Sequence, residues 1–117
     1  MKSHDNTSAH TKLLREILLA IGSRPDCIVW EHKTGLFRLP VGEGRVPVGL
    51  PGSPDIVGFT AGGLFVGIEV KTGSGRFSTQ QHAFSTAASR LGVSVCVARS
   101  VDEAVAHVDR LAARKAA

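Results

Sequence analysis

The stretch from Leu64 to Arg99 constrains the fold of this chain more than any other. It holds an apolar run at 64–71, a break at "TGSG", a helical stretch opened by Ser78, and a second apolar run, "VSVCVAR", at 93–99. Phe77, Phe84, Ala87, Ala88 and Leu91 fall on one face of the intervening helix, and Gly92 follows as a C-terminal cap. A strand that passes through a helix to a second strand runs parallel to the first, by a right-handed crossover. The 93–99 run is apolar without alternation, the pattern of a strand buried on both faces. These features predict an α/β chain, with helices flanking a mixed central β-sheet.

The rest of the chain fits around that unit. Residues 1–10 are polar and read as a tail, leaving 11–117 as a single domain. Leu13, Leu14, Ile17, Leu18 and Ile21 make one apolar face of a first helix, ended by Gly22 and Pro25. "CIVWEHK", at 27–33, is rich in β-branched and aromatic residues and reads as a strand. From Thr34 to Pro54 the chain is dense in Gly and Pro, with a short strand or hairpin expected around Phe37 to Val41; the remainder reads as a long loop of the functional kind. "DIVGF" and "GLFVGIEV" are two strands joined by the turn "TAGG". Ser100 opens the last helix in a capping box with Glu103, and Ala104, Val105, Val108, Leu111 and Ala112 form its stripe.

Composition removes several classes. The chain has 117 residues, a hydrophobic share of 43% and a charged share of 21%, which excludes wholesale disorder. No segment approaches the roughly 18 apolar residues of a membrane span. The N-terminal "MKSHDNTSAHTK" lacks the apolar core of a signal peptide, so a cytoplasmic, reducing environment is expected. Cys27 and Cys96 sit inside apolar runs and read as buried thiols. Without a CxxC, and with five histidines at no ligand spacing, zinc is not indicated. Lys and Arg number 14 against 10 Asp and Glu, a balance that fits a polyanionic partner.

Charges then stand out where apolar strands end. Leu64, Val66, Ile68 and Val70 share one face of their strand, and Phe65, Gly67, Glu69 and Lys71 the other. In a hairpin the start of 55–59 lies near the end of 64–71, which gathers Asp55, Glu69 and Lys71. An exposed Glu and Lys on an edge strand would be unremarkable, and Asp55 after Pro54 would suit a turn. Together, two neighbouring carboxylates call for a cation between them, and oxygen ligands suit Mg²⁺ or Mn²⁺. A lysine beside such an ion orients a water or stabilises charge developing on phosphate. This is equipment for phosphodiester hydrolysis.

"SPD", thirteen residues, then "EVK" resembles the PD-(D/E)XK nuclease signature. The wider run, "GLPGSPDIVGF", "GIEVKTGSGRFSTQQHAF" and "LGVSVCVARSVDEAV", resembles the virus-type replication-repair nuclease domain, VRR-NUC, over roughly Trp30 to Val108. The resemblance implies a restriction-endonuclease-like core and a Mg²⁺- or Mn²⁺-dependent DNA endonuclease. Asp55 and Glu69 would be metal ligands with the Val70 carbonyl a third, and Lys71 the catalytic lysine. Gln81 matches the family's Ser-x-x-Gln pattern. It equally fits a capping box with Ser78, and family spacing favours it over Gln80 for the site. A first-helix Glu usually completes the site, and Glu16 is the candidate; about 60° outside the apolar stripe, it either borders the site or is solvated. Arg76, after "TGSG", is the best placed of the basic residues for phosphate. "HKTG" at 32–35 resembles the basic residue and "TG" that follow the family's first strand, which draws in Lys33. Short stand-alone members are typically of phage or bacterial origin and resemble dimeric junction-type nucleases, so branched DNA and a homodimer are expected.

Other readings compete. "GIEVKT" is no P-loop, because Val70 rather than Gly precedes the lysine, and no GxGxxG is present. The serious alternative is a non-catalytic DNA-binding module on the same fold. Such decay would remove a ligand or the lysine, and Asp55, Glu69 and Lys71 are all present.

Overall fold

A computed structural model describes residues 8–116. The chain order is α1 (Ala9–Gly22), β1 (Cys27–Glu31), β2 (Gly35–Arg38), β3 (Arg45–Val48), β4 (Ile56–Thr60), β5 (Phe65–Val70), α2 (Thr79–Arg90), β6 (Cys96–Ala98) and α3 (Val101–Ala112). Among the described residues, four strands form one mixed sheet in the order β1-β4-β5-β6, and β2 with β3 forms a separate hairpin. β4 runs antiparallel to both β1 and β5, while β5 and β6 run parallel, as the strand–helix–strand passage predicts. The fold is α/β, with a four-stranded mixed sheet and three helices.

One face of the sheet carries the core. Ile56, Val66, Ile68, Val70 and Ala98 are buried there beneath Leu14, Ile17 and Ile21 of α1 and Ala104, Val108 and Leu111 of α3. Both helices start at serine caps. Ser8 accepts from the Thr11 N–H at 3.1 Å, and Ser100 accepts from the Glu103 N–H at 3.2 Å. Glu103 turns its own carboxylate back to the Arg99 N–H, one residue before the cap. Helix α1 therefore begins inside the stretch read as tail. After α1, Arg24 forms a two-pronged pair with Asp26 at 2.9 Å on each prong and reaches Asp109 on α3 at 2.6 Å, tying the end of one helix to the other.

Two elements differ from the sequence-based expectation. The hairpin in the Gly/Pro-rich segment starts at Gly35 and finds its partner at Arg45–Val48, rather than centring on 37–41. The expected strand over 93–99 contracts to Cys96–Ala98, because Val93 is held by the end of α2: its N–H donates to Ala88 O at 2.9 Å, and Gly92 has φ 86°.

The opposite sheet face is uncovered over much of its area. Ile28 pairs across to Phe59, and Phe59 to Phe65, so the three form one cross-strand row. They are 58%, 48% and 37% exposed. Helix α2 keeps the expected apolar stripe from Phe84 onward but has no buried residue, and Phe77, expected on that stripe, lies before the helix and lines a separate pocket. Phe84, Ala87, Ala88 and Leu91 line an open apolar groove with Leu50 and Phe65.

Candidate functional site

The register of β4 against β5 builds the site. Ile56 pairs with Ile68, and one step beyond that pair Asp55 faces Glu69. Asp55 is fixed from three sides. Its carbonyl accepts from the His32 N–H at 2.7 Å, its Oδ2 accepts from the Val70 N–H at 2.8 Å, and the same oxygen lies 3.3 Å from His10 Nε2. In an extended strand the N–H and C=O of one residue point to the same neighbour. The Val70 carbonyl is thus directed to the side on which Asp55 sits.

Glu69 is only 2% exposed. Burial, and then the adjoining Asp55 carboxyl, pushes its pKa up to about 9, with Lys71 pulling the other way. Two carboxylates this close in a dry site cannot both ionise unless positive charge joins them. At neutral pH Glu69 therefore keeps a proton, shared towards Asp55.

Lys71 follows at the strand end, half-buried, with its N–H donating to Ala98 O of β6 at 3.1 Å. Its Nζ donates to Gln81 Oε1 at 2.8 Å. That same oxygen accepts from the Ser78 N–H at 2.8 Å, and Ser78 Oγ accepts from the Gln81 N–H at 3.1 Å. The capping box and the partnership with the lysine, alternatives in the sequence, are a single knot of hydrogen bonds. The approach of α2 to this point depends on Gly52. It has φ 83°, and a Cβ there would run into the Gln80 backbone.

The remaining sequence-derived residues lie further out. Arg76 is exposed beside the 72–75 turn, on the rim of a pocket that also takes in Lys71. Lys33 is exposed and 3.9 Å from Glu31 Oε2. Glu16 is exposed, and no hydrogen bond to it is made among the described residues. Helical geometry sets it about 9 Å along and about 120° around α1 from His10. The α1 residue that reaches Asp55 is thus His10, which the sequence reading left in the tail. Its signal was Ser8, whose capping hydroxyl starts the helix early enough to put His10 in the first turn. Arg99 and His82 line that pocket with Lys71; both lie within the runs that carry the family resemblance, which assigns neither a role.

Among the described residues no group of three or more His, Cys, Asp and Glu side chains is placed to hold a metal ion. A cation at this strand end would take the Asp55 and Glu69 carboxylates, the Val70 carbonyl and water. That all-oxygen set fits Mg²⁺, which keeps several of its waters and uses few carboxylates. The proton held by buried Glu69 marks where positive charge is wanted. His107 of α3, 5% exposed with Nε2 unpartnered, lies in the core, and burial pushes its pKa down. Burial raises both thiol pKa values, that of half-buried Cys96 to about 11, so neither is a nucleophile. No helix among the described residues is long and apolar enough to cross a membrane.

No protein-family model and no curated protein sequence matches this chain.

Proposed function

We propose that the chain is a metal-dependent DNA endonuclease on a PD-(D/E)XK core, similar to the VRR-NUC domain. One observation carries this reading: two facing carboxylates, one deeply buried, share a strand end with a lysine whose ammonium is held by Gln81. Among the described residues no ion pair to Glu69 forms, which leaves its carboxylate open to a cation.

A bound Mg²⁺ or Mn²⁺ would polarise a phosphoryl oxygen and make its water nucleophilic. The protein's residues supply the rest. Asp55, held by the Val70 N–H and by His10, presents its carboxylate without having to reorganise. Glu69 would have to give up its proton to hold a cation, so metal affinity would rise with pH towards 9. Lys71, kept in place by Gln81, sets an ammonium where negative charge develops on the phosphate.

The uncovered sheet face supports a homodimer. Exposed aromatic and aliphatic groups run from Ile28 through Phe59 and Phe65 to Leu91. Each of these side chains leaves more than a third of its area open, apolar surface of the kind that a partner covers. A second copy of the chain is the occupant we infer, because a twofold pair covers both faces at once.

The test is cleavage of labelled linear duplex, flap and four-way junction DNA with Mg²⁺, with Mn²⁺ and with EDTA. Wild type is expected to cut in either metal, and Lys71→Ala to lose at least about 100-fold in rate. Binding without cutting in both metals would overturn the reading in favour of a DNA-binding module.

A further inference from the structure

Beside Lys71, towards β6, a pocket of about 260 Å³ opens between Arg76, Phe77, His82, Val97 and Arg99. No acidic side chain lines it. Its two walls are preorganised. Lys71 is held by Gln81 on one side. On the other, Arg99 donates Nη1 to Gly73 O at 3.1 Å and Nη2 to Gly75 O at 2.7 Å, which leaves its remaining N–H donors for a ligand. The floor is apolar and aromatic. Phe77 and His82 stand edge to face with centroids 5.3 Å apart, and Val97 pairs directly with Glu69. The pocket therefore adjoins the carboxylates.

Fixed cations around an aromatic floor complement a phosphate joined to a flat ring, the chemistry of a nucleotide. The volume suits one base and excludes a duplex. We propose that this pocket receives a single unstacked nucleotide of the DNA strand next to the bond that is cut, a proposal that rests on the nuclease reading above. Phe77 stacks on the base, His82, set perpendicular to it, meets the edge of the base, and Arg76 and Arg99 hold its phosphate. A base can enter only after leaving its helix, which is easiest where it is already unpaired. The pocket thus gives a physical origin for selecting flaps and branches over linear duplex.

The experiment separates binding from cutting. In EDTA, fluorescence anisotropy measures the affinity of wild type, Phe77→Ala and Phe77→Tyr for a flap and for a linear duplex of the same sequence, with thermal melting to establish that each variant is folded. Wild type should favour the flap. Phe77→Ala should lose about tenfold on the flap and less than twofold on the duplex, and Phe77→Tyr should restore flap binding. Equal losses on both substrates, or no loss, overturn the pocket. So does unchanged flap-to-duplex selectivity of Phe77→Ala cleavage in Mg²⁺, which leaves the nuclease intact. If wild type neither cuts nor binds either DNA, the nuclease reading falls and the pocket with it.

Discussion

Glu69 is where burial and charge conflict most directly. The unfolded chain releases this proton near the ordinary value of 4.5, and the folded chain holds it to about 9. Between those values the folded state binds more protons, so its stability falls as pH rises through the window and is fully retained only below it. Glu69→Gln removes the titration. Without divalent metal, the variant at about pH 8 should melt about 5 °C or more above wild type, and differential scanning calorimetry across the window checks this. A wild-type melting temperature that stays level from acid to alkaline pH would show that Glu69 titrates as an exposed carboxylate does. Asp55, Glu69 and Lys71 were legible in the sequence because charges at the ends of apolar runs need a reason. His10 was not legible, since its link to Asp55 spans 45 positions and depends on how α1 crosses the sheet.

Among the elements, the starts of α2 and α3 were readable and that of α1 was not. Ser78 and Ser100 cap where local chemistry says they must, because a serine hydroxyl and the third backbone N–H need only four residues to meet. The extent of β6 was not readable, since the grip of α2 on Val93 competes with pairing to β5 and only the assembled chain decides between them. The position of α2 rests on the 49–53 loop, through the close approach of Gly52 to Gln80. Gly52→Ala should push the helix start away, stretch the bond from Lys71 to Gln81, and lower the cleavage rate about 10- to 100-fold. An unaltered rate, with the variant folded by circular dichroism, would mean that another contact sets the helix.

For the molecule as a whole, the mixed sheet and its helices followed from the order of apolar patterns, but the uncovered face did not. Periodicity marks a stripe on α2 as apolar, and it does not say whether anything lies against it. Light scattering at micromolar concentration should give about twice the chain mass of 12.3 kDa, and Phe59→Asp should give the single mass. A single mass for wild type, with and without DNA, would refute the dimer. Residues 28, 59 and 65 form one row of the sheet, and Asp55 and Glu69 stand two rows further along the same face, about 13 Å away at strand spacing. In a twofold pair joined through that row, the interval between two nicks becomes a property of the sheet itself. The strands of such a nuclease pair would act as a gauge, the stagger left on the DNA being counted in rows of β-structure.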